Sequence, residues 1–300
     1  MKFVELVRAE KRNRREVITK SSDIIESETS PYRQGCERPE PFNVIISPQP
    51  LNIFHHISSD KVKNIVKEVV GHIGNIIYIP NFVDTGEEMN LLCCIESQGK
   101  WERLKSRRLQ CWGGNPSSCD LDTVEFKPLP PWLQVIADSL VLTKIFDQNE
   151  SPNHVLINQY NPGEGILHHT DGPNYLNKVA IISLGSSAVM SFRPKLLPSE
   201  IGIKCGDDVL SVFLEPRSLL LFSNDAYDNY LHGIDFLEED TIGHPVVCVN
   251  AKQANVRFGD VVRLQIHPLF SLLFSTLFLV FRHILLFNNM NRFLEKSGRP

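Results

Sequence analysis

Short apolar runs alternate with turn-forming residues along most of the chain between residues 76 and 234. Examples are IIYIP, NHVLINQY, VAIISLGSSAVMSF and LEPRSLLLF, which are rich in apolar and β-branched side chains. Each run is bounded by Gly, Pro, Asn or Asp, and this punctuation predicts a strand followed by a turn. A succession of such strands predicts a mainly β fold, either a β-sandwich or a jelly roll.

Two segments show a helical pattern instead. Residues 58–74, SSDKVKNIVKEVVGHIG, place Val, Ile, Val and Ile near the spacing of one helix face and predict a short helix. In residues 81–95, NFVDTGEEMNLLCCI, Asp84 or Thr85 precedes Glu87 and Glu88. Acids in a first turn favour a helix start because the helix dipole is positive there. The β fold is therefore expected to carry flanking helices.

The chain divides into three predicted parts. Residues 1–74 form an N-terminal extension with a basic start, a linker that has five prolines between residues 30 and 52, and the short helix. Residues 75–265 form the β domain. Residues 266–300 form an atypical apolar tail.

The apolar tail raises the question of a membrane anchor. Its first apolar run, from Pro268 to Phe281, is shorter than the roughly 20 residues that a membrane helix needs, and Arg282 and His283 interrupt it. Membrane association is therefore not expected. The pattern favours a helix or strand packed on the domain, or a poorly folded end, over a membrane anchor, and a replacement of the original C-terminal strands is a further alternative.

Composition narrows the classes of function only slightly. The 300 residues are 42% hydrophobic and 22% charged, with a formal net charge of -4, so any nucleic-acid binding has to be local. The seven cysteines include no Cys-x-x-Cys pair, which argues against a disulfide framework or zinc module and for a reducing compartment. The basic cluster KRNRR at residues 11–15 is either a nuclear address or a solvated helix end. We expect a nuclear and cytoplasmic protein with no obligate protein partner.

The stretch EGILHHTDGPNY, residues 164–175, carries the first candidate chemistry. Side chains two apart in a strand share a face, so His169 and Asp171 point the same way while His168 points the other way. Glycines and a proline around the stretch disfavour a helix. His-x-Asp is two thirds of the triad that holds Fe(II) on one face. His232, in YLHGI, is the candidate third ligand, and the plain alternative is a surface turn with a capping aspartate.

Eight stretches, in this order and spacing, resemble the AlkB-type 2-oxoglutarate-dependent Fe(II) dioxygenases. They are IIYIPNFV, RRLQCWGGNP, LPPWL, NHVLINQY, PGEGILHHTDGP, ISLGS, LEPRSLL and YLHGI, between about Tyr78 and Ile234. The resemblance implies a double-stranded β-helix, a jelly roll whose mouth holds the iron.

Functional residues follow from the resemblance position by position. It implies that His169, Asp171 and His232 bind Fe(II) and carry catalysis, and that Asn158 and Tyr160 face the 2-oxoglutarate. It also implies O2 as second co-substrate, and oxidative hydroxylation or demethylation as the reaction. The alternative is a binding protein with the same fold and no turnover.

The family's paired arginines are where the chain departs from the pattern. In the family, an Arg-x5-Arg motif grips the far carboxylate of 2-oxoglutarate, since a guanidinium can pair both carboxylate oxygens. The candidates here are Arg257 and Arg263, although Gly259 and Val261 stand where the motif has polar side chains.

A cationic and aromatic stretch, KWERLKSRRLQCWGGNP, is the candidate for substrate binding. In family members that modify nucleic acids, the corresponding region forms a lid over the base, and cations with aromatics suit phosphates and stacked bases. The candidates are Lys105, Arg107, Arg108 and Trp112. The alternative is a strand with its charges in water and Trp112 packed on the core.

Overall fold

The fold is a two-sheet β structure with helices on one side. A computed structural model describes residues 73–113, 127–172, 174–195, 209–243, 246–263 and 268–277. The strands are β1 (Ile76–Ile79), β2 (Glu102–Arg103), β3 (Arg108–Trp112), β4 (His154–Tyr160), β5 (Ile166–His169), β6 (Lys178–Leu184), β7 (Ala188–Pro194), β8 (Leu210–Leu214), β9 (Leu219–Ser223), β10 (Tyr230–Ile234), β11 (Glu239–Thr241), β12 (Val247–Cys248), β13 (Val261–Arg263) and β14 (Leu269–Ser275). The helices are α1 (Thr85–Gln98), α2 (Pro131–Leu142) and the single turn α3 (Asp225–Asp228), with a 3-10 helix at Gln148–Glu150.

The strands form two facing sheets and a small ribbon. The large sheet has the order β1-β9-β6-β14-β4-β3-β2, the small sheet has the order β12-β8-β7-β10-β5, and β11 pairs with β13. Apolar side chains from both sheets meet in one cluster, with Leu156 and Ile181 from the large sheet and Phe192 and Val212 from the small one. The predicted jelly roll with flanking helices is confirmed.

Helices α1 and α2 cover the outer face of the large sheet. Helix α1 starts where the acidic pattern predicts, because Asp84 accepts from the backbone N–H of Glu87 while the Glu87 side chain accepts from that of Asp84. Helix α2 begins with Pro131 in its first turn, where a missing N–H costs nothing. Their apolar faces join a second cluster against the sheet.

The start of the apolar tail belongs to the domain, which corrects the predicted boundary after residue 265. Strand β14 lies in the large sheet between β4 and β6, antiparallel to both, and all seven of its residues are buried. A central strand covered on both faces has no polar alternation to reveal it in the sequence. Of the interpretations of the tail, a strand packed on the domain is correct for Leu269–Ser275.

Other predictions fall outside the described residues. These are the basic cluster at 11–15, the proline-rich linker, most of the helix predicted over 58–74, and the tail beyond residue 277. Within the part of the chain that the structure describes, no helix has the length and apolar character needed to span a membrane.

Candidate metal centre

Three buried side chains converge where β5 and β10 pair in the small sheet. His169 ends β5, Asp171 follows two residues later, and His232 lies in β10 directly opposite His169. The Nε2 atoms of His169 and His232 lie 3.8 and 3.7 Å from Oδ1 of Asp171. One ligand atom from each residue lies within 4.8 Å of the other two, which suits a single metal ion held from one side.

A register shift between β5 and β10 helps to orient these ligands. Ile234 pairs with Ile166, but His232 pairs with His169, so β5 has one extra residue between the two pairs. Such a bulge turns the side chains that follow it. A Cβ atom on Gly233 would lie only 2.9 Å from the carbonyl oxygen of Ile166, so the residue after His232 has to be glycine for β5 to approach.

Hydrogen bonding and burial prepare the three groups to bind a cation. Nδ1 of His169 lies 2.8 Å from the carbonyl oxygen of Leu167 and donates to it, which leaves the lone pair on Nε2 for a metal. Oδ2 of Asp171 is buried and has no hydrogen-bond partner. A buried carboxylate that has one unsatisfied oxygen and lies beside two imidazoles is costly unless a cation binds there, so the residues fit Fe(II).

The pKa values follow from the same burial. Desolvation lowers the pKa of His232 to about 4 and holds the pKa of His169 well below its usual value, so both rings are neutral near pH 7, as metal ligands must be. Desolvation also raises the pKa of Asp171 to about 7. The aromatic rings of Phe222 and Phe192 lie 4.8 and 6.2 Å from the His232 ring and keep this side of the centre apolar.

His168 takes no part in the triad. It is half-buried, and its Nε2 lies 2.6 Å from Oγ of Ser191 on the neighbouring part of the small sheet. The two adjacent histidines therefore have separate surroundings, as strand geometry predicts.

Asn158 and Tyr160 lie on one face of β4, in the space between the two sheets. Both are almost completely buried, and Tyr160 belongs to the cluster shared by the sheets. Oδ1 of Asn158 accepts a hydrogen bond of 3.1 Å from Nε of Arg107. The structure thus brings the predicted co-substrate residues to the interior face of the sheet opposite the triad.

Arg257 and Arg263 are not brought to this interior. Arg257 is exposed, and the Arg263 side chain keeps 75% of its surface exposed while its Nε lies 2.7 Å from Oε1 of Glu239 on the small ribbon. The prediction that Arg257 and Arg263 bind the co-substrate, which came from their Arg-x5-Arg spacing, is therefore wrong. The ribbon that holds Arg263 faces solvent.

The predicted lid is the hairpin formed by β2 and β3, and its four candidates separate. Lys105 is exposed at the turn. Arg108 stacks 4.0 Å above the Trp101 ring and pairs with Glu96 at 2.6 Å. Trp112 packs edge-on against Trp132 at 5.8 Å, so the interpretation of Trp112 as a core side chain is the better one.

The burial of Arg107 contradicts the prediction that its side chain binds a substrate phosphate. Its side chain is 0% exposed, because the tight turn in which Leu104 donates to the Arg107 carbonyl directs it inward. A cation this deep cannot reach a phosphate on the surface.

Serines in the large sheet are the polar residues that sequence analysis missed. Ser183 of β6 and Ser271 of β14 lie in register with Asn158 of β4, so three polar side chains form one row on the interior face. A serine inside an apolar strand, as in IISLG and LFSLLFS, is the signal that could have identified them.

His154, at the start of β4, is a buried histidine whose neutral ring makes the stability of the fold depend on pH. Complete burial lowers its pKa to about 3, from an ordinary value of 6.5, so the folded protein keeps this ring neutral. The neutral ring therefore contributes to the free energy of unfolding above pH 6.5, and this contribution is lost as the pH falls toward 3. Between pH 7 and pH 5 the loss is about 2 kcal/mol. We expect urea unfolding of His154→Gln to show a pH dependence weaker by that amount, and an unchanged dependence would contradict the assignment.

Comparison with known proteins agrees with this geometry. Residues 75–259 match the model of the 2OG-Fe(II) oxygenase superfamily. A Danio rerio protein named probable RNA/DNA demethylase ALKBH6 is 35% identical over 68% of this chain and 85% of its own length. A Macaca fascicularis tRNA (carboxymethyluridine(34)-5-O)-methyltransferase ALKBH8 is 27% identical over 56% of this chain, which spans a quarter of that protein. The solved structure of OsALKBH1 covers 67% of this chain and is itself covered to 98%, at 17% identity and a TM-score of 0.43.

The chain therefore belongs to the 2OG-Fe(II) oxygenase superfamily and is a dioxygenase that uses Fe(II), 2-oxoglutarate and O2. Within the superfamily the chain is of the AlkB type. Its sequence stretches also predict a likeness to the sixth AlkB homologue of eukaryotes, and the Danio rerio relative confirms this prediction.

Proposed function

We propose that this dioxygenase removes alkyl groups from a nucleic acid by hydroxylating the carbon attached to a base nitrogen. The observation that carries the oxygenase chemistry is the buried triad of His169, Asp171 and His232, with both imidazoles neutral. The nucleic-acid substrate is supported by the names of the relatives, an RNA/DNA demethylase and a tRNA-modifying enzyme.

The residues of the chain supply geometry and a dry site. When bound, Fe(II) supplies O2 activation coupled to decarboxylation of 2-oxoglutarate to succinate. His169 and His232 present Nε2 lone pairs to the metal, Asp171 supplies the negative charge, and the packed rings of Phe192 and Phe222 exclude water on one side. After hydroxylation of an N-methyl group, the N–C bond breaks and releases formaldehyde and the free N–H.

The surface of the β2–β3 hairpin supports nucleic-acid contact. Lys105 is exposed at its turn, and Arg107 anchors that turn beside Asn158 in the interior. Because the whole chain carries a net charge of -4, a local cation near the site matters more than the overall charge.

The test is turnover of a single-stranded oligonucleotide with one N-methylated base, with the unmethylated oligonucleotide as control. We expect the full chain with Fe(II), 2-oxoglutarate and O2 to release formaldehyde and succinate in equal amounts from the methylated strand alone. Succinate without formaldehyde on any methylated strand would overturn the nucleic-acid proposal while leaving the oxygenase class intact.

The same assay includes a matched pair of charge reversals. Lys105→Glu is expected to weaken oligonucleotide binding by about 10-fold at low salt and less at high salt, since phosphate contacts release counterions. Lys144→Glu reverses an exposed charge after α2 and is expected to change little. Equal effects of the two variants would remove the hairpin from the substrate site.

A second candidate function is a binding protein that keeps the metal and has no turnover. One observation favours it, since β14 pairs with the strand of Asn158 and Tyr160, yet its sequence, LFSLLFS, contains no cation for a co-substrate carboxylate. Metal binding without 2-oxoglutarate binding by the same preparation would select this candidate.

We propose a nuclear and cytoplasmic location, supported by the basic cluster at residues 11–15 and by a cysteine pattern without a Cys-x-x-Cys motif. Imaging of the tagged full chain with and without that cluster tests it, and exclusion from the nucleus in both forms would contradict it.

A further inference from the structure

Asp171 differs from the two histidine ligands in the support that its backbone receives. His169 and His232 lie on β5 and β10, which pair with each other, whereas Asp171 lies two residues beyond the end of β5. The next residue, Gly172, has a φ of +113°, and a Cβ atom there would meet no atom within 4 Å outside its chain neighbours. The direction of the Asp171 carboxylate therefore depends on what holds this uncrowded backbone.

Tyr227 reaches this backbone from the short helix α3. Its hydroxyl donates a hydrogen bond of 3.0 Å to the carbonyl oxygen of Gly172. A donor on that carbonyl fixes the orientation of the peptide plane that follows Gly172. Because glycine has more backbone freedom than any other residue, this contact limits rotation directly after Asp171.

The ring of Tyr227 contacts the aromatic neighbour of another ligand. It stacks on Phe222, with ring centroids 6.3 Å apart and an angle of 25° between the planes. The Phe222 ring in turn lies 4.8 Å from the ring of His232. Tyr227 therefore connects the backbone beside Asp171 to the side chain that packs on His232.

Helix α3 is itself held against the segment that follows Asp171, so Tyr227 extends from a fixed support. Nδ2 of Asn177 donates to Oδ2 of Asp228 at 3.2 Å, and the backbone N–H of Asn224 donates to the Asn177 carbonyl oxygen at 3.0 Å. Ala226, inside the helix, is completely buried. These contacts limit the movement of α3 relative to the segment that Tyr227 holds.

We propose that Tyr227 is a positioning residue of the metal centre, which holds the carboxylate of Asp171 beside His169 and His232 before the metal binds. The proposal rests on the Fe(II) site of the proposed dioxygenase, and it deepens that function by naming a residue outside the ligand set that sets metal affinity. A ligand that is already held in place loses less conformational freedom when it binds, and residues that support metal ligands raise affinity for this reason.

Calorimetric titration of Mn(II) into the full chain tests the proposal without turnover. Tyr227→Phe removes the hydroxyl and keeps the ring, and we expect it to weaken Mn(II) binding by about 10-fold. The matched control is Tyr78→Phe, which removes a hydroxyl that donates at 2.8 Å to Glu215 in the turn between β8 and β9. We expect this control to leave Mn(II) affinity unchanged.

Thermal unfolding of the two variants separates positioning from a general loss of stability. Each variant loses one side-chain hydrogen bond, so we expect both transitions to fall by a similar amount, about 2–4 °C. A loss of Mn(II) affinity that appears equally in Tyr78→Phe would follow stability alone and would overturn the role of Tyr227.

The absorption spectrum of bound Co(II) reports the arrangement of the ligands directly. At saturating Co(II), we expect the d–d bands of Tyr227→Phe to differ from those of the wild type, because the Asp171 carboxylate is no longer held in one orientation. Tyr78→Phe is expected to give the wild-type spectrum. A wild-type spectrum from saturated Tyr227→Phe would overturn the proposal, even if its affinity for the metal falls.

Failure of this proposal differs from failure of the proposed function. Wild-type chain that binds Mn(II) tightly, with no change of affinity in Tyr227→Phe, overturns the role of Tyr227 and leaves the dioxygenase function standing. Wild-type chain that binds neither Mn(II) nor Co(II) overturns both.

Discussion

Replacement of His169 by alanine is expected to abolish binding of one divalent metal ion per chain, whereas replacement of the adjacent His168 leaves it nearly intact. His169 directs Nε2 toward Asp171 and His232, while His168 contacts Ser191. Removal of a residue that only hydrogen-bonds to a metal ligand lowers metal affinity by about 10- to 100-fold. Removal of a ligand itself is therefore expected to lower metal affinity by at least about 100-fold. Fe(II) or Mn(II) titration of the two purified variants measures the difference.

The pair His168→Ala and His169→Ala forms its own control, because the two substitutions remove the same side chain from neighbouring positions. Equal losses of metal affinity in both variants would contradict the geometry, as would retention of the metal by His169→Ala with a native thermal transition.

Replacement of Phe274 by alanine is expected to destabilise the fold by about 3–5 kcal/mol, the cost of deleting a fully buried aromatic ring. Phe274 is 0% exposed and lies in β14, between β4 and β6 in the centre of the large sheet. The control is Phe258→Ala, since Phe258 is 77% exposed and its loss should change stability by less than about 0.5 kcal/mol. Urea unfolding at pH 7 measures both variants.

This comparison tests whether the apolar tail is part of the fold. A small effect of Phe274→Ala, equal to that of Phe258→Ala, would mean that β14 does not complete the sheet and that the domain ends before it.

The strand pattern and the pairing of His169 with Asp171 were predictable from local sequence, whereas His232 was assigned as a ligand through the family resemblance. Alternation of apolar runs with turn residues gave the β fold, and the two-residue period put His169 and Asp171 on one face. The position of His232 opposite His169 depends on pairing between β5 and β10, and the extra residue in β5 could not be seen in the sequence.

The burial of Arg107 and of strand β14 could not be predicted from the sequence, because it depends on the turn and on the neighbouring strands. Arg107 and Lys105 stand two residues apart in a basic stretch, yet one is fully buried and the other exposed, because the turn directs them to opposite sides. The pattern of β14 is apolar on both faces, so it resembled a tail or an anchor until its partners β4 and β6 were known.

Crystals of the full chain grown without oxygen in the presence of Mn(II) would locate the metal directly through its anomalous scattering. One strong peak is expected within coordinating distance of Nε2 of His169, Nε2 of His232 and a carboxylate oxygen of Asp171. A peak at another cluster of side chains, or no peak when the crystals hold equimolar Mn(II), would contradict the metal centre on which the dioxygenase function depends.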